Sequence, residues 1–282
     1  MNIRNVLKYP GSKWNIAKHL TKYIPQHHSY VEPFFGSGAL LFTKSPSDIE
    51  TINDLDNDVT NLFHCIQKDA ERLARLVMTT PYSREMYDSS FEFEEFITEI
   101  KGEEQYRKAL IFLIRCWQGH GFRTNGYKVG WKNDVQGREK AYALWNWYRL
   151  PEWIVDIAER LRTVQIENRH AFEVIERFNY SNVFQYWDPP YILEVRAGKQ
   201  YKHEMTDADH EKMLKLALSS KAKIMISGYE SEMYNNYLKE WNKAYFNSCA
   251  EHNGIRQEVI WMNYKKDMQM SIEDYGITCS KQ

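Results

Sequence analysis

Residues 188–191 read Asp-Pro-Pro-Tyr and follow an apolar run, Val183 to Trp187. Two successive prolines fix the backbone and withhold two amide donors, which leaves carbonyl oxygens at this strand end as acceptors. Asp188 adds an anionic acceptor, and Tyr191 adds a flat ring with a polar tip. This set suits an exocyclic amine. Asp188 and the Pro189 carbonyl would accept its two N–H bonds while Tyr191 stacks on the attached ring, with Pro190 stiffening the turn. The plainer reading, a rigid turn carrying a surface tyrosine, weakens once a second motif upstream is considered.

That motif is Glu32-Pro33-Phe34-Phe35-Gly36-Ser37-Gly38, placed between the short apolar stretch Tyr30-Val31 and the run Ala39 to Thr43. Glycines between a strand and a helix let backbone N–H groups approach a ligand at the positive end of the helix. The third glycine of the dinucleotide fingerprint is missing, since position 41 is Leu41, and Asp54 lies 18 residues beyond Gly36 at the end of the next strand. An acid there accepts ribose hydroxyls, so a nucleoside cofactor without a pyrophosphate fits better than a dinucleotide. Taken alone, a single G-x-G is as often only a tight turn.

Other clusters carry less. Asp54, Asp56 and Asp58 resemble the start of a calcium loop, but Val59 stands where glycine is required and Cys65 where glutamate is required. Asp56 and Asp58 read as turn and N-cap residues instead. Asp207, Asp209 and His210 are better explained by helix capping than by a metal, HExxH is absent, and no cysteine–histidine spacing suits zinc; no metal is expected. Cys65, Cys116, Cys249 and Cys279 are scattered and read as reduced thiols of a cytoplasmic protein.

The elements that must hold these motifs follow from pattern. Ile16, Leu20, Tyr23 and Ile24 share one helical face, and Pro25 ends it; a strand around Thr51-Ile52 runs into Asn53-Asp54. Strand, glycine turn, helix and strand open a parallel α/β sheet. From about Cys65 to Val164 the pattern is mainly helical, as in Tyr106 to Trp117, and encloses the glycine-rich, aromatic, basic stretch Gln118 to Lys132. This middle part, residues 65–164, reads as an inserted domain between 1–64 and 165–282. Strand and helix then alternate again: Val183 to Trp187, a Thr206-x-x-Asp209 capping box opening a helix through Met213, Leu214 and Leu218, a strand Lys223 to Ser227, and a last strand Glu258 to Tyr264. Lys199 to Glu204 reads as a loop over the site, and Trp145, Trp147 and Trp153 read as core.

A chain of 282 residues with 43% hydrophobic and 27% charged residues has globular composition, and no run approaches the roughly 18 apolar residues of a membrane span. The N-terminal segment lacks a signal peptide's apolar stretch, which makes a cytoplasmic protein the expectation. The net charge of −1 hides an uneven distribution. Residues 45–100 hold 4 Lys/Arg and 13 Asp/Glu, a net of −9, whereas residues 101–170 hold 13 Lys/Arg and 8 Asp/Glu, a net of +5. A basic face on the middle segment is therefore available to a polyanion. Arg123, Lys128, Lys132 and Arg138 could grip phosphates, and Arg123, Asn125 or Tyr127 could reach base edges.

Together, Leu7 to Lys13, the Glu32 to Gly38 turn, Asn53-Asp54, Asp188 to Tyr191, Ser227-Gly228-Tyr229 and Glu258 to Tyr264 resemble the Dam-type DNA adenine-N6 methyltransferases of phages and restriction–modification systems. The resemblance spans nearly the whole chain in that family's motif order. It implies a Rossmann-like, S-adenosylmethionine-dependent methyltransferase sheet with an inserted, mainly helical target-recognition domain.

Residue by residue, it implies that Tyr9, Pro10, Gly11 and Lys13 border the cofactor, with Lys13 near Asp188. Glu32, Pro33, Phe34, Gly36, Ser37 and Gly38 would line its methionine and ribose end, and Asp54 would hold the ribose. Asp188, Pro189, Pro190 and Tyr191 would hold the target adenine. One departure is His170, where family members often place an acid that contacts the cofactor adenine; Ala171 and Phe172 take the local contact instead.

The implied reaction moves a methyl group from S-adenosylmethionine to N6 of an adenine flipped out of double-stranded DNA. The resemblance also allows a separately encoded restriction endonuclease as partner. Three other readings stay open at this point: an RNA adenine methyltransferase, a cytosine-N4 methyltransferase (disfavoured by Asp188, where those enzymes usually carry serine) and a catalytically silent DNA-binding module.

Overall fold

A computed structural model describes residues 3–92, 104–135, 141–196, 198–249 and 255–265. Seven strands form one sheet: β1 (Ser29–Glu32), β2 (Ile49–Asn53), β3 (Val164–Glu167), β4 (Val183–Trp187), β5 (Lys223–Gly228), β6 (Asn242–Cys249) and β7 (Ile255–Met262). Their order across the sheet is β3-β2-β1-β4-β5-β7-β6. The first five are parallel, and β7 runs antiparallel to both β5 and β6. All residues of β1 and β4 are buried, as expected for parallel strands covered on both faces.

Helices cover the two faces. On one lie α1 (Ala17–Leu20), α2 (Ala39–Thr43), α3 (Asn57–Met78), α4 (Arg84–Ser89), α5 (Glu104–Gln118) and α6 (Tyr142–Leu161), sharing an apolar cluster with Tyr30, Ile52 and Phe184 of the sheet. On the other lie α7 (Ala171–Arg177), α8 (Asp207–Ser219) and α9 (Glu232–Tyr237), whose Phe172, Met213, Leu214 and Tyr234 pack with Trp187, Ile226 and Trp261.

The middle of the chain is tied to this frame by polar as well as apolar contacts. The Arg160 guanidinium of α6 donates to the buried Glu50 carboxylate and to the Leu41 carbonyl, and Trp117 Nε1 donates to Val6 O at 2.9 Å. Thus α5 and α6, inside the 65–164 stretch, help cover the sheet, while residues 119–135 are irregular. α3 is broken at Asp69 (φ −161°, ψ 84°), whose carboxylate accepts from Arg72 N at 3.0 Å and so caps the second half.

Most expected elements are present, with differences at their ends. The helix expected over Ile16 to Ile24 is a short α1 followed by a 3-10 turn, Thr21–Tyr23; Ile24 is extended (ψ 122°) because the next residue is Pro25. The last strand is Ile255–Met262, two to three residues earlier than expected, because it pairs along its whole length with β6. The Thr206–Asp209 capping box forms, and Asp56 caps α3 through Asp58 N.

Candidate active site

The sheet brings the motifs together at its carboxyl edge. β1 and β4 are neighbours in register, Ser29 opposite Val183, and β1 also pairs with β2, Glu32 opposite Ile52. The glycine turn after β1, Asn53-Asp54 after β2 and Asp188 after β4 therefore emerge side by side. The chain order reverses between β1 and β4, the kind of switch point where parallel sheets open a crevice.

The turn after β1 is fixed by its neighbour strand. Phe35 N donates to Asn53 O at 2.9 Å, and Gly36 N to Asp54 Oδ2 at 2.8 Å. Gly36 (φ +51°) and Gly38 (φ +67°) lie in the left-handed region, and a Cβ on Gly38 would fall 2.3 Å from Phe35 Cζ; glycine is required there. Asn53 knits the strand ends, donating to Pro33 O and Arg169 O and accepting from Arg169 N at 2.9 Å. His170 caps α7 through Phe172 N at 3.3 Å.

A cleft of about 1020 Å³, part of it open to solvent, lies over these ends. Of the cofactor residues expected from sequence, Tyr9, Pro10, Gly11, Lys13, Glu32, Pro33, Phe34, Gly36, Ser37, Asp54, Ala171 and Phe172 line it, as do Asp188 and Pro190. Gly38, Pro189 and Tyr191 are not on its wall. Gly38 starts α2, and Tyr191 sits edge-on to Tyr229 with ring centroids 4.8 Å apart.

Asp188 is the electrostatic centre. Lys13 Nζ stands 3.1 Å from Asp188 Oδ1 and 3.8 Å from Glu258 Oε2, lies 4.7 Å from the centre of the Tyr191 ring, and donates to Gly11 O at 2.6 Å. Tyr191 Oη donates to Glu258 Oε2 at 3.3 Å. Burial pushes the Asp188 carboxyl above its ordinary range, with Lys13 opposing; burial also works against the Lys13 charge, but Asp188 and Glu258 hold it above its usual value. Asp188 Oδ1 lies against the Lys13 ammonium, and the side chain is still 19% exposed, so the carboxylate retains lone pairs able to accept.

Burial raises three further acids of the cleft, Glu32, Asp54 and Asp56. Glu32 is pushed up to about 8 although Tyr30 Oη (2.6 Å) and Leu41 N (2.9 Å) donate to it, and Asp54 is pushed up to about 7 although Gly36 N and Asp56 N donate to it.

The segment after Asp-Pro-Pro-Tyr crosses the cleft as a strap. Tyr201 Oη donates to Pro10 O at 3.2 Å, and Lys202 Nζ reaches Asp56, Asn57 and Asp58 at 3.0–3.4 Å. Glu204 accepts from Gln200 N and Tyr201 N and pairs with Arg196, which donates to Tyr191 O at 2.6 Å. Tyr201, His203, Glu204 and Met205 line the cleft. The sequence pattern places a loop here and includes Asn53 and Glu258 in its motifs, but gives no role to Tyr201, Asn53 or Glu258; only Asn53, a polar residue at a strand end, carries a local signal.

The basic stretch lies beside the strap. Its stems meet through His120 N to Gly130 O and Lys132 N to Gln118 O, and Thr124 N donates to Gln200 O at 2.9 Å. Arg123, Tyr127 and Lys128 are exposed, with Arg123 over the Tyr127 ring and Lys128 paired to Asp88 at 2.9 Å; Lys132 is half-buried. Asn125 is engaged within the protein, donating to Lys199 O at 3.0 Å and accepting from Tyr127 N. Arg138 lies outside the described residues.

The sequence model of the D12 class N6 adenine-specific DNA methyltransferases matches residues 9–256. The chain is 26% identical over 257 residues to the type II methyltransferase M1.LlaDCHI of Lactococcus lactis subsp. cremoris, covering 86% of this chain and 87% of that protein. It is 25% identical over 251 residues to a DNA adenine methylase of Serratia marcescens (84% and 87% covered) and 25% identical over 272 residues to the type II methyltransferase M.MjaIII of Methanocaldococcus jannaschii (86% and 90%).

Proposed function

Since the chain belongs to the D12 class of N6 adenine-specific DNA methyltransferases, we propose that its cleft holds S-adenosylmethionine beside an extruded adenine, with Asp188 receiving the amine. The observation that carries this reading is the meeting of the glycine turn and the Lys13-paired Asp188 carboxylate in one cleft. The residues present suit the cofactor. Gly36 presents bare backbone to the cleft, Asp54 offers ribose an acid, Phe34 and Phe172 offer apolar walls, and the acids Glu32 and Asp188 face a cation. When bound, the cofactor supplies an electrophilic methyl on a sulfonium.

The chain's own residues do the rest. Adenine N6 is a weak nucleophile because its lone pair is delocalised into the ring. Hydrogen bonds from its N–H groups to Asp188 and the Pro189 carbonyl localise that pair, and positive charge grows on N6 as it reacts. A fixed carboxylate therefore stabilises the transition state more than the ground state. Asp188 need not be a strong base, since the N6 proton becomes acidic after transfer. Tyr191 stacks on the base and offsets part of the few kcal/mol needed to extrude it.

We assign residues 1–64 and 165–282 to methyl transfer and the 65–164 stretch to target recognition, with Arg123, Tyr127, Lys128, Lys132 and Arg138 toward DNA. Asn125 acts there by shaping the loop. The likeness to type II methyltransferases supports a separately encoded restriction endonuclease as partner. The buried cysteines Cys65 and Cys116, which form no disulfide, suit a cytoplasmic setting, and among the described residues no helix is long and apolar enough to cross a membrane.

The test is Asp188→Ala. Tritiated methyl transfer to DNA is lost while S-adenosylhomocysteine, whose thioether is neutral, still binds within about threefold by calorimetry, because the remaining cleft walls are intact. Unchanged turnover would refute the assigned role.

A further inference from the structure

The chemistry above leaves one buried acid without a part. Glu258 enters the cluster from β7, and its side chain is 12% exposed. Its Oε2 accepts from Tyr191 Oη at 3.3 Å and stands 3.8 Å from Lys13 Nζ, the same ammonium that lies 3.1 Å from Asp188 Oδ1. One cation thus serves two carboxylates. Without Glu258, Lys13 and Asp188 would form a neutral pair facing a cationic cofactor and a nucleophile that becomes cationic.

Resting on the assignment of Asp188 and Tyr191 made above, we infer that Glu258 is a positioning residue that counterbalances Lys13 and holds Tyr191. The charge of Asp188 is thereby left for the substrate amine, and the site stays anionic toward the cofactor's sulfonium.

The sulfonium must sit within one methyl transfer of the amine held by Asp188, so the extra negative charge acts on it through a mostly buried medium. The product, S-adenosylhomocysteine, carries a neutral thioether and gains nothing from that charge. Glu258 therefore biases the cleft toward the methyl-bearing form and favours exchange of spent cofactor. A residue that only packed would affect both forms alike.

Glu258→Gln keeps an acceptor for Tyr191 Oη and removes the charge. With the full chain and no DNA, calorimetry gives the dissociation constants of S-adenosylmethionine and S-adenosylhomocysteine. Their ratio moves against S-adenosylmethionine by at least about tenfold, the scale of one unit charge about 12 Å away at an effective dielectric of about 20. The homocysteine constant stays within about twofold, and Glu258→Asp restores part of the preference. Tyr191→Phe, which removes only the hydroxyl, lowers single-turnover methyl transfer but leaves the ratio unchanged.

Equal weakening of both ligands, or no change in either, overturns the inference, as does a shifted ratio in Tyr191→Phe. If Glu258→Gln does not fold, Glu258→Met, which also removes the charge, must move the ratio the same way, and a wild-type ratio there overturns it. Retained turnover in Asp188→Ala is a different result: it overturns the reading of the site and leaves the cofactor ratio to be judged on its own.

Discussion

Replacing Lys13 by methionine removes the one cation beside Asp188 and keeps much of the side chain's bulk. Lys13 is 4% exposed and its ammonium lies 3.1 Å from Asp188 Oδ1. At that separation and an effective dielectric of about 20, the attraction is roughly 5 kcal/mol before other groups respond. Glu258 shares the same ammonium, so the loss of Lys13 falls on both carboxylates. The direction follows from burial, which already holds Asp188 above its ordinary range against the pull of Lys13. Without Lys13 the carboxyl moves further the same way, and a protonated Asp188 donates through one oxygen and no longer favours positive charge on N6. Single-turnover methyl transfer in Lys13→Met thus falls near pH 7 and recovers as pH rises, by at most about tenfold per unit, the limit for one titrating group. The assay is tritiated transfer at saturating cofactor and DNA across that range. A variant that is equally slow at every pH, or as fast as the wild type, refutes the argument.

Other expectations test the remaining parts. Glu32 at about 8 and Asp54 at about 7 hold protons in the ligand-free cleft; a nearby cation and ribose hydroxyls favour the ionised forms, so cofactor binding releases protons and tightens as pH rises toward about 8. Calorimetry in buffers of different ionisation enthalpy measures this, and zero proton release would exclude it. Removing the charges of Lys128 and Lys132 flattens the salt slope of DNA binding by about one for each phosphate no longer neutralised; an unchanged slope places the phosphate grip elsewhere. Gly38→Ala combines a left-handed backbone (φ +67°) with a Cβ 2.3 Å from Phe35, and costs roughly 2–4 kcal/mol in denaturant unfolding; a loss below about 0.5 kcal/mol would show that the turn relaxes freely.

What is legible in the sequence is local. The run Val183 to Trp187 is apolar nearly throughout because both faces of β4 are covered, and the glycine turn announces itself because φ values near +51° and +67° disfavour other residues. The capping box Thr206–Asp209 is likewise spelled out by four neighbouring residues. What is not legible depends on partners far along the chain. Glu258 looks like any polar position of a late strand until β7 pairs with β5 and brings it to Tyr191, 67 residues away in sequence. Asn53 acts through Arg169, 116 residues on, and Tyr201 through Pro10, 191 residues back. β6 escapes a sequence reading because alternating polar positions at a sheet edge resemble loop composition. Asn125 shows the reverse case: Asn125-Gly126 is a turn dipeptide, a local signal that explains its engagement with Tyr127 N better than base reading does.

The close approach of Gly11 and Tyr201 binds two distant positions into one heritable unit. Gly11 has φ +72°, and a Cβ there would lie 2.4 Å from Tyr201 Oη. A side chain at position 11 therefore requires the tip of Tyr201 to shift or its hydroxyl to go, and loss of the phenol frees that space without relieving the dihedral.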